Sequence, residues 1–207
     1  MNKYERNIDY DKIYEESIIL IGPLNAGKST ITKELEKRFE MPSIHFDNMA
    51  DIYMPMFGFE KKEAVEKYKS NNIEDYIKYK EPFRFKFVSH MITSLDRPTI
   101  LDFGAEDTLF FGENREIIKE MLSRFKNVIQ ILPTSNPSES LKILEDRWQS
   151  DRSEYKIGNI YDKVNWYLLN DSLNNDLATI TVYTENKSPE EITDEIIELI
   201  NERKHIM

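Results

Sequence analysis

Gly22-Pro23-Leu24-Asn25-Ala26-Gly27-Lys28-Ser29-Thr30 spells the pattern G-x-x-x-x-G-K-[ST]. An apolar, β-branched run, Ser17-Ile18-Ile19-Leu20-Ile21, precedes it, and a helical pattern continues from Lys28 to Phe39. Strand, loop and helix in that order make a phosphate cradle. The glycines let the backbone turn tightly enough for successive N–H groups to face phosphate oxygens. The helix adds its unsatisfied N-terminal donors and the positive end of its dipole. Lys28 is expected to reach the β- and γ-phosphates, and the Ser29 hydroxyl to ligate Mg²⁺. Gly22, Asn25, Ala26, Gly27, Lys28, Ser29 and Thr30 are therefore the expected nucleotide-binding residues.

Outward from this loop, strand and helix patterns alternate. Ser43-Ile44-His45-Phe46 reads as a short second strand closed by Asp47. From Asn48 to Leu95 the pattern is helical, with breaks expected near Pro55, Gly58, Asn71-Asn72 and Pro82. Pro98 to Gly104 gives a third strand, Asn114 to Phe125 an amphipathic helix, and Asn127 to Leu132 a fourth strand stopped by Pro133. Asn136-Pro137 opens a helix through Trp148, a polar stretch runs from Gln149 to Asn159, and Ala178 to Thr184 is a fifth strand. Ser188 then caps a last helix with Pro189 at its first position. Near-continuous apolar strands separated by helices predict an α/β, three-layer P-loop NTPase fold: a five-stranded parallel sheet with helices on both faces. The chain, 1–207, reads as a single domain, with a helical substrate lobe at about 48–96 and a lid at about 149–159.

Composition narrows the function. A formal net charge of −10 argues against a nucleic-acid surface, which needs a dense basic stripe. With no cysteine, thiolate chemistry, disulfides and cysteine–zinc sites are excluded. The charged N-terminus carries no signal-like apolar stretch, and no run approaches the roughly 18–20 apolar residues of a membrane span. A cytoplasmic protein without membrane or nucleic-acid partners, monomeric or homodimeric, is the expectation.

Asp47 falls at the carboxyl end of a strand, where open α/β sheets bind ligands. There it serves as general base on an acceptor hydroxyl, as a magnesium anchor, or merely as a helix N-cap. Asp102 ends the third strand, either as a metal-holding acid with Ser29 or as a turn former. Glu106 and Asp107 are nearby acids with no separable roles, and Asp51 reads as a solvated helix residue. Arg84, in the lobe, is a candidate clamp for an acceptor or an ordinary surface arginine. Arg147 and Arg152 flank the polar stretch, where lid arginines would neutralise charge on a transferring phosphoryl group. His45, His90 and His205 have no metal-ligand spacing.

With these residues in view, the chain resembles the shikimate-kinase and nucleotide-monophosphate-kinase branch of phosphate-loop proteins. The resemblance implies ATP as phosphoryl donor, a helical acceptor lobe and an arginine lid. It implies matching roles for Asp47, for Arg84 in the acceptor lobe, for Arg147 as a catalytic lid arginine, and for Thr184-Glu185-Asn186-Lys187-Ser188 beside the adenine. The chain departs from shikimate kinases at Met49, where they carry the second Asp of Asp-x-Asp. It departs again at Asp102-Phe103-Gly104-Ala105, where they carry a triple-glycine turn, and at Asn170, where they carry a late substrate-binding arginine. Phe46 to Pro55, with Asn25 to Ser29, is also similar to chloramphenicol phosphotransferases, which implies Asp47 as base. Both resemblances imply ATP-dependent transfer to a small molecule bearing a hydroxyl or phosphate. The alternative is a nucleotide-dependent ATPase or switch acting on a protein partner, which would lack an enclosed acceptor pocket.

Overall fold

The computed structural model describes residues 8–69, 72–150 and 160–206. In chain order the elements are α1 (Tyr10–Glu16), β1 (Ile18–Ile21), α2 (Lys28–Phe39), β2 (Ser43–His45), α3 (Phe46–Met56), α4 (Lys61–Lys69) and α5 (Ile73–Thr93). Then come β3 (Ile100–Asp102), a 3-10 turn (Ala105–Thr108), α6 (Gly112–Leu122), β4 (Asn127–Leu132), α7 (Pro137–Ser150), α8 (Ile160–Asn170), α9 (Ser172–Leu177), β5 (Ile180–Tyr183) and α10 (Pro189–Ile206).

The five strands form one sheet in the order β2-β3-β1-β4-β5, every pair parallel. Its central strand, β1, is buried throughout and sends alternate side chains to opposite faces. Ile19 and Ile21 join a core built with α3, α5, α6 and α9, through residues such as Phe46, Phe87, Ile118 and Leu173. Ile18 and Leu20 join a second core with α2, α7 and α10, where Ile192, Ile196 and Ile200 repeat every four residues. These two cores make the three layers that the alternating pattern predicts. β5, at the edge, is buried only on alternate residues.

Two local expectations are corrected. Pro82 does not break the lobe: α5 runs unbroken past it, because Ile77, Glu81, Arg84, Phe87 and Val88 are all buried along its length and that packing outweighs the lost hydrogen bond. The second strand stops at His45, so Asp47 lies in the first turn of α3 rather than on a strand. Phe46 is the cause. It is fully buried, stacked on Phe103 at 4.3 Å and edge-on to Phe87 at 5.3 Å, which draws the backbone out of the sheet plane at that residue.

Candidate active site

β1 and β3, the two central carboxyl ends, deliver the phosphate loop and Asp102 to one crevice, and α3 brings Asp47 beside them. Gly22 has φ +139° and its Cα faces the Ile131 carbonyl so closely that a Cβ would collide with it. Gly27, at φ +100°, is the N-cap of α2, which no side chain caps, so the first N–H groups of that helix stay available. Lys28, expected to be open to ligand, is only 8% exposed. Its Nζ donates to the carbonyls of Gly22 and Pro23, both at 2.9 Å. Burial holds its pKa below the usual lysine value, opposed by the charges of Asp102, Asp47 and Asp107. Ser29 and Thr30 are exposed at the start of α2.

Two residues from distant parts of the chain brace this loop. Arg147 donates to the Asn25 carbonyl at 3.3 Å and to the Thr184 hydroxyl at 3.1 Å, tying the phosphate loop to the turn after β5. Asn165, buried on α8, accepts from the Leu24 N–H at 2.8 Å and donates to the Leu24 carbonyl at 3.4 Å. Sequence reasoning missed Asn165, since nothing in the spacing of a lone asparagine on a helix marks it. Of the expected lid, residues 151–159 lie outside the described residues, and Arg152 with them.

On the acidic side, the Asp47 carboxylate is exposed and lies against the Cα of Gly104, where any Cβ would strike it. The N-cap of α3 is His45, with no side-chain cap bond, so Asp47 does not serve as the cap. Among the described residues it has no hydrogen-bond or ion-pair partner. Asp102 is buried at the end of β3 and bonds His45 Nδ1 through Oδ2 at 2.7 Å, its direct cross-strand neighbour. His45 was not expected at the site. The pairing of the two strand ends is what brings it there.

The two unassigned acids separate cleanly. Asp107, fully buried, accepts from the Gly104 N–H at 2.7 Å and from Arg84 in a short charged bond. Glu106 accepts from Lys80 at 2.5 Å and from Arg84 at 2.8 Å, and Lys80 also reaches the Tyr76 hydroxyl at 2.8 Å. Burial would raise the pKa of Glu106, but Lys80 and Arg84 hold it down at about 2. Burial also raises Asp107, and with the Asp47 charge beside it this prevails over Arg84, leaving it at about 6. Arg84 is therefore not the surface arginine that one reading allowed. It is buried between two carboxylates, one turn from Lys80 on α5.

Asp47, Lys80 and Arg84 help line an open cavity of about 770 Å³ between α3, α4 and α5, with Met54, Phe59 and Tyr68 among its apolar walls. Asp51, exposed, also borders it. Asn170 turns its amide back on the Trp166 carbonyl at 2.7 Å and takes no part in this cavity. Among the described residues no group of three or more His, Asp or Glu is arranged to hold a metal. A magnesium ion bound mainly by phosphates and water needs no such cage, and the Ser29 hydroxyl with one strand-end carboxylate suffices. No helix among the described residues is long and apolar enough to cross a membrane.

No protein-family model matches the chain. A shikimate kinase of Enterococcus faecalis is 29% identical over 195 residues, spanning 90% of this chain and 99% of that protein. Among solved structures, a shikimate kinase from Acinetobacter baumannii in complex with shikimate superposes with a TM-score of 0.61 at 15% identity, over 94% of this chain and 97% of the other. A shikimate kinase from Bacteroides thetaiotaomicron gives 0.58 at 15% identity, over 91% and 98% of the two chains. A gluconokinase from Sinorhizobium meliloti gives 0.57 at 14%, over 91% and 93%. Similarity to a shikimate kinase over nine-tenths of the chain, on a fold shared with phosphate-loop kinases, supports a small-molecule phosphotransferase.

Proposed function

We propose that the protein transfers the γ-phosphoryl group of ATP to a hydroxyl of a small molecule held in the helical lobe. The observation that carries this reading is Asp47: an exposed carboxylate with no hydrogen-bond or ion-pair partner among the described residues, lining the lobe cavity and within electrostatic reach of Lys28. A carboxylate so placed accepts the hydroxyl proton as the oxygen attacks phosphorus, which yields ADP, the phosphate ester and a proton. Lys28 exchanges the Gly22 and Pro23 carbonyls for the β- and γ-phosphates, and its charge stabilises the transferring group. Arg147, already bonded to the phosphate loop, adds a second cation. Ser29 and Asp102 would hold Mg²⁺, which when bound neutralises charge across the β- and γ-oxygens. The switch reading is less favoured, because the lobe holds a cavity of acceptor size that Asp47 lines.

The test is ATP consumption driven by a panel of hydroxyl compounds, including nucleosides, polyols and aminoglycoside- or phenicol-type alcohols, with Lys28→Ala as control. Lys28→Ala should lower acceptor-dependent turnover by about 10²–10³-fold or more while leaving the circular dichroism spectrum unchanged. Undiminished turnover in that variant would overturn the assignment of the loop.

A further inference from the structure

The charges around the cavity carry a statement about the acceptor that the phosphate loop does not. Two cations, Lys80 and Arg84, help line it. Both are already answered: Lys80 and one nitrogen of Arg84 converge on Glu106, and another nitrogen of Arg84 is bonded to Asp107. The carboxylates that line the cavity are Asp47 and Asp51. Among the described residues, Asp47 and Asp51 of the lining, with Glu106 and Asp107 bonded to its cations, make four carboxylates against Lys80, Arg84 and the neighbouring Lys28, so the balance is negative. The remaining lysines of the pocket, Lys61 and Lys69, are exposed on α4, where water and salt screen them.

We propose that the Glu106–Arg84–Asp107 arrangement selects an acceptor with no anionic group beside its reacting hydroxyl: a neutral or cationic hydroxyl compound, not a carboxylate or phosphate. The proposal rests on the kinase reading of the same site. An anion within a ring's width of that hydroxyl meets Asp47 without gaining a free guanidinium in return, because separating Arg84 from Glu106 and Asp107 leaves buried carboxylates uncompensated. Hydroxyl, amide and ammonium groups, in contrast, donate to Asp47. Glu106 is then a specificity residue: it acts on the acceptor through the charge of Lys80 and Arg84 and need not touch it.

One ring carried in two charge states tests this. Shikimate and its methyl ester differ in a single negative charge, and each is titrated by calorimetry into the wild-type protein saturated with ADP and Mg²⁺. The same titrations are made with Glu106→Gln, which keeps the side-chain shape and releases the charge of Lys80 and Arg84, and with Asp107→Asn as an independent second release. The wild type should favour the ester by about tenfold, and each variant should gain at least about tenfold for the carboxylate relative to the ester. Wild-type binding of the carboxylate as tight as that of the ester overturns the proposal. So does an unchanged carboxylate-to-ester ratio in both variants. The ADP titration run first separates the two claims: absent nucleotide binding counts against the kinase reading, whereas normal nucleotide binding with a carboxylate preference counts against this one alone.

Discussion

At the scale of single residues, the site works through carboxylates held in unequal surroundings. Asp107 has no exposed surface, and burial lifts its carboxyl from an ordinary 3.8 to about 6. A native pKa above the unfolded one means that the folded protein holds the proton longer, so the contribution of Asp107 to stability is fully present below about 3.8 and is lost as pH rises through about 6. Glu106 has the opposite sign: held at about 2 against an ordinary 4.5, its contribution is present at neutral pH and lost only as pH falls towards 2. The stability advantage of the wild type over Asp107→Asn should therefore shrink by on the order of 3 kcal/mol between about pH 4 and pH 7. Urea unfolding of both proteins at several pH values measures it, and a difference independent of pH would contradict this account. The roles of these acids were not legible in the sequence. Their spacing after the third strand does not say which one turns inward, although Lys80 and Arg84, four residues apart on one helix, already form a cationic pair that calls for such partners.

At the scale of elements, long apolar stretches carried their own assignment. α2 and β4 have the bounds that periodicity and Pro133 predict, and the last helix begins at Pro189 with Ser188 and Glu191 exchanging hydrogen bonds as a capping box. The weakly patterned elements were missed. α1 buries only Ile13 among its seven residues, and α8 and α9 follow the polar stretch as short helices, α9 behind its N-cap Asp171. Yet α8 matters to the site, since Asn165 completes both backbone groups of Leu24 inside the phosphate loop. Asn165→Ala leaves that N–H and carbonyl without their partner and should destabilise the protein by about 1–3 kcal/mol. Because the affected backbone belongs to the nucleotide cradle, affinity for ADP should fall as well. Unfolding and calorimetry on one variant check both effects, and unchanged ADP affinity would reduce Asn165 to a structural brace.

At the scale of the whole molecule, the parallel sheet gathers the chemistry by collecting strand ends. The phosphate loop leaves β1, Asp102 closes β3, and α3 starts one residue after β2, so three separate sequence segments meet at one crevice edge. The helical lobe then stands over that edge with its cavity open to Asp47. The sheet order itself was not legible in the sequence, because alternation of strands and helices fits several orders equally well. Hence the sequence named Asp47 as a strand-end acid, while its place between loop and lobe came only with the packing of Phe46 on Phe103 and Phe87. The central claim is that Asp47 is the base. Asp47→Asn keeps shape and hydrogen bonding but removes the proton acceptor, so the decisive measurement is single-turnover phosphoryl transfer by this variant, beside a calorimetric titration of MgATP. The account predicts unaltered MgATP affinity with transfer slowed about 10²–10⁴-fold. Transfer at the wild-type rate, or a loss confined to metal-dependent nucleotide binding, would contradict it.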